Sequence, residues 1–315
     1  MTEPLVSIGI PTRNRRQYLS MAIESVLNQT YQNIEVIVSD NRSTDDTWED
    51  LSRLSDNRVK ILRQERNLGM VGNCNAVLSA ASGDYFLLLS DDDILSPNCI
   101  GKLVRPFLQP TAKAQPETVG MSWTACTLID ANGNKMWDTD PGPEIETVIS
   151  FLCGLFDGRR GSRFSGIMVR TDDARSVGGY NEARHGVLCD TGNWGPVALH
   201  YQNVACSSEK LVQYRVHAAS ETQISAAGDW QRFCENIHED MVAVLRSKND
   251  SDGESSLRRS MNNHLANITV TVLMRYIGQP GWVGLFVREF WRSRRFMLTP
   301  FVAKRIVRDG WKLLR

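Results

Sequence analysis

Tyr85-Phe86-Leu87-Leu88-Leu89, an apolar run long enough for a buried strand, ends in Ser90 and then three consecutive carboxylates, Asp91, Asp92 and Asp93. Two carboxylates about 4 Å apart repel by roughly 4 kcal/mol at an effective dielectric near 20, so such a cluster faces water or shares a cation. All-oxygen ligands select magnesium or manganese over zinc, and such an ion binds through one or two carboxylates plus the phosphates of a substrate. The run therefore points to a diphosphate ligand. The competing assignment is a solvated acidic turn ahead of the helix that follows Pro97, where aspartates are favourable without metal.

The elements that must position this run alternate in type. Leu5 to Ile10 reads as a strand that stops at Pro11-Thr12-Arg13-Asn14, and Tyr18 to Leu27 carries helical apolar spacing. Ile34 to Ser39 is a second strand, ending in Asp40-Asn41-Arg42-Ser43-Thr44-Asp45, and Val59 to Leu62 a third. A Gly/Asn-rich loop, Asn67 to Asn75, leads into a helix before the strand at Tyr85. Strands alternating with helices imply a parallel sheet, whose ligands bind beyond the carboxyl ends of the strands. Asp40 and Asp91 to Asp93 then share one rim.

Four ordered segments carry a family resemblance: Val6 to Asn14, Val38 to Thr47, Asn67-Leu68-Gly69 and Leu89 to Asp93. Together they resemble the inverting family 2 glycosyltransferases of the bacterial surface-polysaccharide type. The likeness is close over residues 5–107, moderate over 162–220 and weak beyond. It implies a GT-A fold, a Rossmann-like mixed or parallel sheet flanked by helices, with a C-terminal helical appendage. It also implies a nucleotide diphosphate sugar donor. On this likeness Pro11, Thr12, Arg13 and Asp40 meet the base, Asp91 meets ribose or metal, and Asp92 ligates Mg2+ or Mn2+. Asn67 joins the nucleotide-sugar site, and Asn73 and Asn75 read as loop polar groups fixing its diphosphate side, although a local backbone role for Asn73 and Asn75 is as natural. Two departures stand out: Ser90 replaces the first acid of the usual Asp-x-Asp-Asp, and Arg42 occupies a turn position where relatives carry glycine.

An inverting transfer needs a base on the acceptor side. Gly178-Gly179-Tyr180-Asn181-Glu182 and Cys189-Asp190 resemble the family's Gly-Gly-aromatic-Asx-Glu segment and its downstream Glu-Asp pair, with Cys189 in place of the glutamate. Asp190 is thus the candidate base; burial near Trp194 would raise its pKa usefully. The competing role is N-cap of a helix over residues 191–200. Trp194 is either a sugar-stacking wall for the acceptor or a core residue. Tyr214-Arg215-Val216-His217 resembles a Tyr-Arg-x-His segment that folds over the diphosphate, which places Arg215 on the donor and His217 on the metal or a phosphate oxygen.

Composition fits a chain with one large core: residues 1–227 as the catalytic domain (1–108 donor half, 109–227 acceptor half) and 228–315 as a helical region. Seven cysteines without metal spacing suit a reducing compartment. With a strand starting at Leu5 and no membrane-spanning run, the expected location is cytoplasmic, at the inner face of the cytoplasmic membrane. Net charge is zero, but residues 288–315 hold nine Lys/Arg against two acids, a net of +7 interleaved with Trp and Phe. That pattern over 281–315 suits an anionic membrane carrying a glycan or lipid-linked glycan acceptor; a packed appendage with a basic face is the alternative, and the balanced charge argues against nucleic acid. The residues thus read as a metal-dependent inverting glycosyltransferase of polysaccharide or glycolipid synthesis. The alternatives are a sugar-1-phosphate nucleotidyltransferase, which would want a glycine-rich loop where Pro11-Thr12-Arg13-Asn14 stands, and an inactive nucleotide-sugar-binding scaffold.

Overall fold

The computed structural model describes residues 3–110, 114–161, 163–217 and 227–276, the last range with side chains over 230–266. Alternation holds through the first half: β1 (Val6–Thr12), α1 (Arg16–Leu27), β2 (Ile34–Asp40), α2 (Thr47–Ser52), β3 (Val59–Arg63), α3 (Gly69–Ala80) and β4 (Tyr85–Leu88). Val6, Ile8 and Ile10 of β1 are fully buried, and α1 turns Leu19, Ala22, Ile23 and Val26 inward at helical spacing. Gly9 lets α3 cross β1 closely, because a Cβ there would lie 2.7 Å from Cγ2 of Val77.

The second half supplies β5 (Ile94–Leu95), α4 (Cys99–Val104), β6 (Val119–Ile129), β7 (Lys135–Asp138), β8 (Ile145–Thr147), α5 (Val148–Phe156), β9 (Ile167–Arg170), α6 (Thr171–Ser176), α7 (Glu182–His185), α8 (Cys189–Leu199) and β10 (Asn203–Arg215). One sheet runs through both halves in the order β3-β2-β1-β4-β9-β6-β10-β5, with β7 on β6 and β8 on β10. The first four strands are parallel, as the alternation predicts. β9 runs against both β4 and β6, so the sheet is mixed. Because β10 is parallel to β6, two reversals bring its carboxyl end back to the rim of β1, β2 and β4. That returns Arg215 to the acid run 122 residues earlier in the chain.

Register sets the levels along this rim. Thr12 pairs with Asp40 across β1 and β2, while β4 ends opposite Gly9, so the chain beyond Leu88 climbs past Thr12 and carries the aspartates with it. Apolar clusters cover both sheet faces, one under α1 and α4, the other under α3, α5 and α8. In the C-terminal region α9 (Ala227–Ser247) and α10 (Ser251–Tyr276) pack on α8 and α5, burying Met241, Val242, Leu245, Leu257 and Met261 in the cluster that contains Trp194. The helical appendage is therefore part of the core as far as Met261. No helix among the described residues is long and apolar enough to cross a membrane. The basic segment 281–315 lies outside the described residues.

Candidate active site

The three aspartates beyond β4 have separate partners. Asp91 accepts from the Thr12 hydroxyl at 2.7 Å and lies 3.8 Å from the Arg15 guanidinium, so it binds the acid run to the loop after β1. Burial, followed by the neighbouring Asp92 charge, raises its carboxyl to about 7 against the pull of Thr12, Arg15 and the Arg13 amide. Asp92 accepts from the Ser90 hydroxyl at 2.6 Å and shares a 2.8 Å hydrogen bond with His217 Nε2. Ser90, at the position of the missing acid, thus orients the acid that remains. Asp93 is fully buried and takes the Arg215 amide at 2.8 Å and the Ser165 hydroxyl at 2.5 Å. Burial and Asp92 push its carboxyl well above the ordinary range.

Arg215 is only 4% exposed, and its guanidinium donates to the carbonyls of Asp92, Asp130 and Ala131 while lying 4.7 Å from the Tyr18 ring centroid. Through Nε and Nη1 it clamps the turn after β6 to the acid run. His217 completes the group, its ring 5.4 Å from that of Tyr18.

At the end of β2, Asp40 is fully buried and accepts from the Ser43 amide through Oδ1 at 3.0 Å. No hydrogen bond reaches Asp40 Oδ2 among the described residues; the Arg63 guanidinium is 3.9 Å away and lies over the Trp48 ring. A buried, unsatisfied carboxylate oxygen at a strand end is the acceptor that a ring N–H of a base requires. Asn73 lies at the same level but is committed inward, donating to the carbonyls of Ser39 and Thr12 and accepting from the Ser39 hydroxyl. It fastens α3 to β1 and β2, so the backbone role prevails over contact with a diphosphate. Asn67 accepts from Asn41 and from the Gly69 amide and shapes the loop before α3. Pro11 and Thr12 sit at the rim, and the Arg13 side chain is exposed beside them. Arg42 adopts φ +60°, the left-handed backbone that glycine takes freely, and its side chain is exposed.

Asp190 lies in the first turn of α8, whose N-cap position is Leu188 and lacks a side-chain cap. Its own amide and the amide and hydroxyl of Thr191 lie close enough to favour the charged carboxylate, which suits an acid in the first turn of a helix. It also shares a small cavity of about 20 Å³ with Phe86, Leu88, Phe164, Ile167, Val169, Tyr180, Asn193 and Trp194. This apolar surround raises the carboxyl to about 6, with Thr191 and the Arg163 charge opposing. Trp194 is 5% exposed, packs edge-on against Phe151 at 6.0 Å, and its indole Nε1 has no hydrogen-bond partner among the described residues. It is a core residue walling the Asp190 recess, not an acceptor-stacking surface, because α9 covers its helix.

Two participants lie outside the residues that the sequence singles out. Asn41 is buried and holds the Asn67–Gly69 loop through both ends of its amide. Ser165 reaches Asp93 from 72 residues away, and only the antiparallel insertion of β9 brings it there. Asn41 stands inside a recognised segment; Ser165 has no sequence signal. As for a metal, no group of three or more His, Cys, Asp or Glu side chains among the described residues could hold one by itself. Asp92 and His217 offer two adjacent donors. Two protein ligands with substrate phosphates and water suffice for Mg2+ or Mn2+, so the donor set fits an ion that arrives with a diphosphate.

Comparison with known proteins places this geometry. Residues 7–161 match the profile of glycosyl transferase family 2. The glycosyltransferase GlyG of Streptococcus pneumoniae is 41% identical over 110 residues, covering 34% of this chain and 36% of that protein. A GalNAc(5)-diNAcBac-PP-undecaprenol beta-1,3-glucosyltransferase of Campylobacter jejuni is 39% identical over 162 residues, covering 49% of this chain and 50% of its own length. The chain thus spans between about a third and half the length of these curated relatives. Among solved structures, Staphylococcus aureus TarS 1-349 in complex with UDP-GlcNAc superposes with a TM-score of 0.60 at 13% identity, over 97% of this chain and 92% of that one. The fold is GT-A, and residues 7–161 of this chain form a glycosyl transferase family 2 domain.

Proposed function

We propose that this chain transfers a glycosyl group, with inversion, from a nucleotide diphosphate sugar to a hydroxyl of a glycan or lipid-linked glycan acceptor in bacterial surface-glycan synthesis. The observation that carries this reading is the pairing of two sites on one rim. One is the donor edge of Thr12, Asp40 and Asp91 to Asp93; the other is the raised carboxyl of Asp190 in its apolar recess. The undecaprenol-linked substrate in the name of the Campylobacter relative supports the acceptor class.

Asp40 Oδ2 accepts the base N–H, the loop from Pro11 to Arg13 and Asp91 line the nucleoside, and Asp92 with His217 would hold Mg2+ or Mn2+, which when bound would supply positive charge against the departing diphosphate. Asp190 takes the acceptor proton as the hydroxyl attacks the anomeric carbon from the face opposite the diphosphate. A carboxyl at about 6 is a better base than one at 3.8, yet remains ionised at neutral pH. The working place is the cytoplasmic face of the membrane, with 281–315 supplying the contact. Thermal-shift titration with UDP-, dTDP-, GDP- and CDP-sugars, with and without manganese, followed by a transfer assay on lipid-linked acceptors, tests the reading. Stabilisation by one donor together with transfer to acceptor is expected. Donor binding with neither hydrolysis nor transfer would leave an inert binding protein.

A further inference from the structure

The chain that delivers Asp190 doubles back just before it. α7 ends at His185, Gly186 follows at φ +50°, and the short turn Gly186–Leu188 leads into α8. The His185 ring, 5% exposed, is thereby folded onto the first turn of α8: a Cβ on Gly192, two residues beyond Asp190, would collide with its Nδ1. Its other nitrogen, Nε2, shares a 2.7 Å hydrogen bond with Asp240 Oδ2 of α9. Asp240 is fixed in turn by Arg184, whose Nε lies 2.8 Å from both carboxylate oxygens. Burial opposes ionisation there, but Arg184 and His185 hold the Asp240 carboxyl below its ordinary range. An ionised carboxylate only accepts, so Nε2 carries the proton and the orientation of the ring is set.

One stripe of α9 makes these contacts, with Phe233, Asn236 and Asp240 at helical spacing. Phe233 covers Gly186, where a Cβ would strike its ring, and Asn236 donates to the Arg184 carbonyl at 2.7 Å. Met241 Cε fills the space that a Cβ on Gly195 would need. From the sheet side, Asn193 ties α8 to the carbonyls of Ala174 and Gly179 at 2.9 and 3.0 Å. Alanine is ordinarily favoured over glycine inside a helix; at Gly192 the His185 ring takes the room its methyl group would need.

We propose that Asp240 is a positioning residue for Asp190: acting through the His185 ring, it holds the first turn of α8 so that the Asp190 carboxylate keeps its place in the recess. The inference rests on the reading of Asp190 as the base, and it extends the transfer site into the C-terminal helical region.

The test compares the parent with Asp240→Ala, Asp240→Asn, Gly192→Ala and Glu239→Gln, each melted first to establish that it folds. Asparagine keeps an oxygen for the Nε2 proton. Glu239, 70% exposed and 3.4 Å from Arg184, is a charge of α9 outside the His185 contact. Single-turnover transfer per folded molecule should fall by about 10- to 100-fold in Asp240→Ala and Gly192→Ala, the scale of a misplacement of about 1 Å. Nucleotide diphosphate affinity, read by calorimetry, should not change. Asp240→Asn should recover most of the loss, and Glu239→Gln should match the parent. Because both substitutions break one contact, the double variant should lose no more than the worse single one. Aspartate labelled with 13C at Cγ reports the same contact without turnover. The Asp190 resonance, identified by its loss in Asp190→Asn, should move in Asp240→Ala and Gly192→Ala and return in Asp240→Asn. An unmoved resonance overturns the proposal, as do losses that add in the double variant. A lower melt with parental turnover and an unmoved resonance would leave the contact purely structural. If the resonance moves but Asp190→Asn transfers at the parental rate, the positioning stands and the base assignment falls.

Discussion

Replacing Asp190 by asparagine should cost activity and increase stability, and the two effects together separate a catalytic carboxylate from a helix cap. Burial lifts the folded-state carboxyl from 3.8 to about 6. Below pH 4 both folded and unfolded chains carry the proton and Asp190 imposes no penalty. As the pH rises between the two values the unfolded chain ionises first, so stability falls; above about 6 both states are ionised and the penalty is complete. A shift of this size corresponds to about 3 kcal/mol. The asparagine oxygen stays beside the first-turn amides, but the favourable charge at the helix start is lost, about 0.3–1 kcal/mol. A net gain of about 2 kcal/mol at pH 8 follows, and at about 2 °C per kcal/mol for a chain of this size the melting temperature rises by about 4 °C. The gain should shrink by about half at pH 5 and vanish below pH 4. Turnover should fall by about 10²-fold or more with donor affinity nearly unchanged. Melts of both proteins across pH 4–8, alongside single-turnover transfer, measure this. A variant that melts lower at pH 8 and keeps parental turnover would refute the argument and leave Asp190 as a helix-start residue only.

Asp92→Ala should abolish manganese-dependent donor binding, read by calorimetry of the nucleotide diphosphate with and without the ion; equal affinities in variant and parent would remove Asp92 from the metal site. Asn73→Ala should destabilise the fold by about 1–2 kcal/mol in urea unfolding, because it removes three buried hydrogen bonds while the Thr12 carbonyl keeps the Asn41 amide and the Ser39 hydroxyl keeps Gln64. The full chain should float with anionic liposomes at low salt and release at high salt, since each cation of 288–315 contributes about 1 kcal/mol near an anionic leaflet and is screened within a Debye length. Failure to float at low salt would turn that segment into a packed appendage.

The difference between what the sequence disclosed and what it withheld follows from distance along the chain. β1, α1, β2, β3 and β4 were legible because each buries a periodic apolar face and ends in a polar cluster, both of which are local signals. Parallel register then fixes the relation of Thr12, Asp40 and the acid run, which is why that edge could be read before the fold was seen. Nothing local encodes the antiparallel placement of β9 between β4 and β6, yet this placement brings Ser165 to Asp93. Residue type misled in two places for the same reason. Arg215 and Trp194 have the chemistry of ligand-binding residues, but the burial that decides their roles comes from elements far away in sequence. The turn after β6 takes up one guanidinium nitrogen of Arg215, and α9 closes over the helix that carries Trp194. The positions where distant elements overrule residue type are therefore those joining the donor edge to the acceptor side. In this chain the coupling between the two halves of the site is a property of the sheet order, carried by β9, which runs against both β4 and β6.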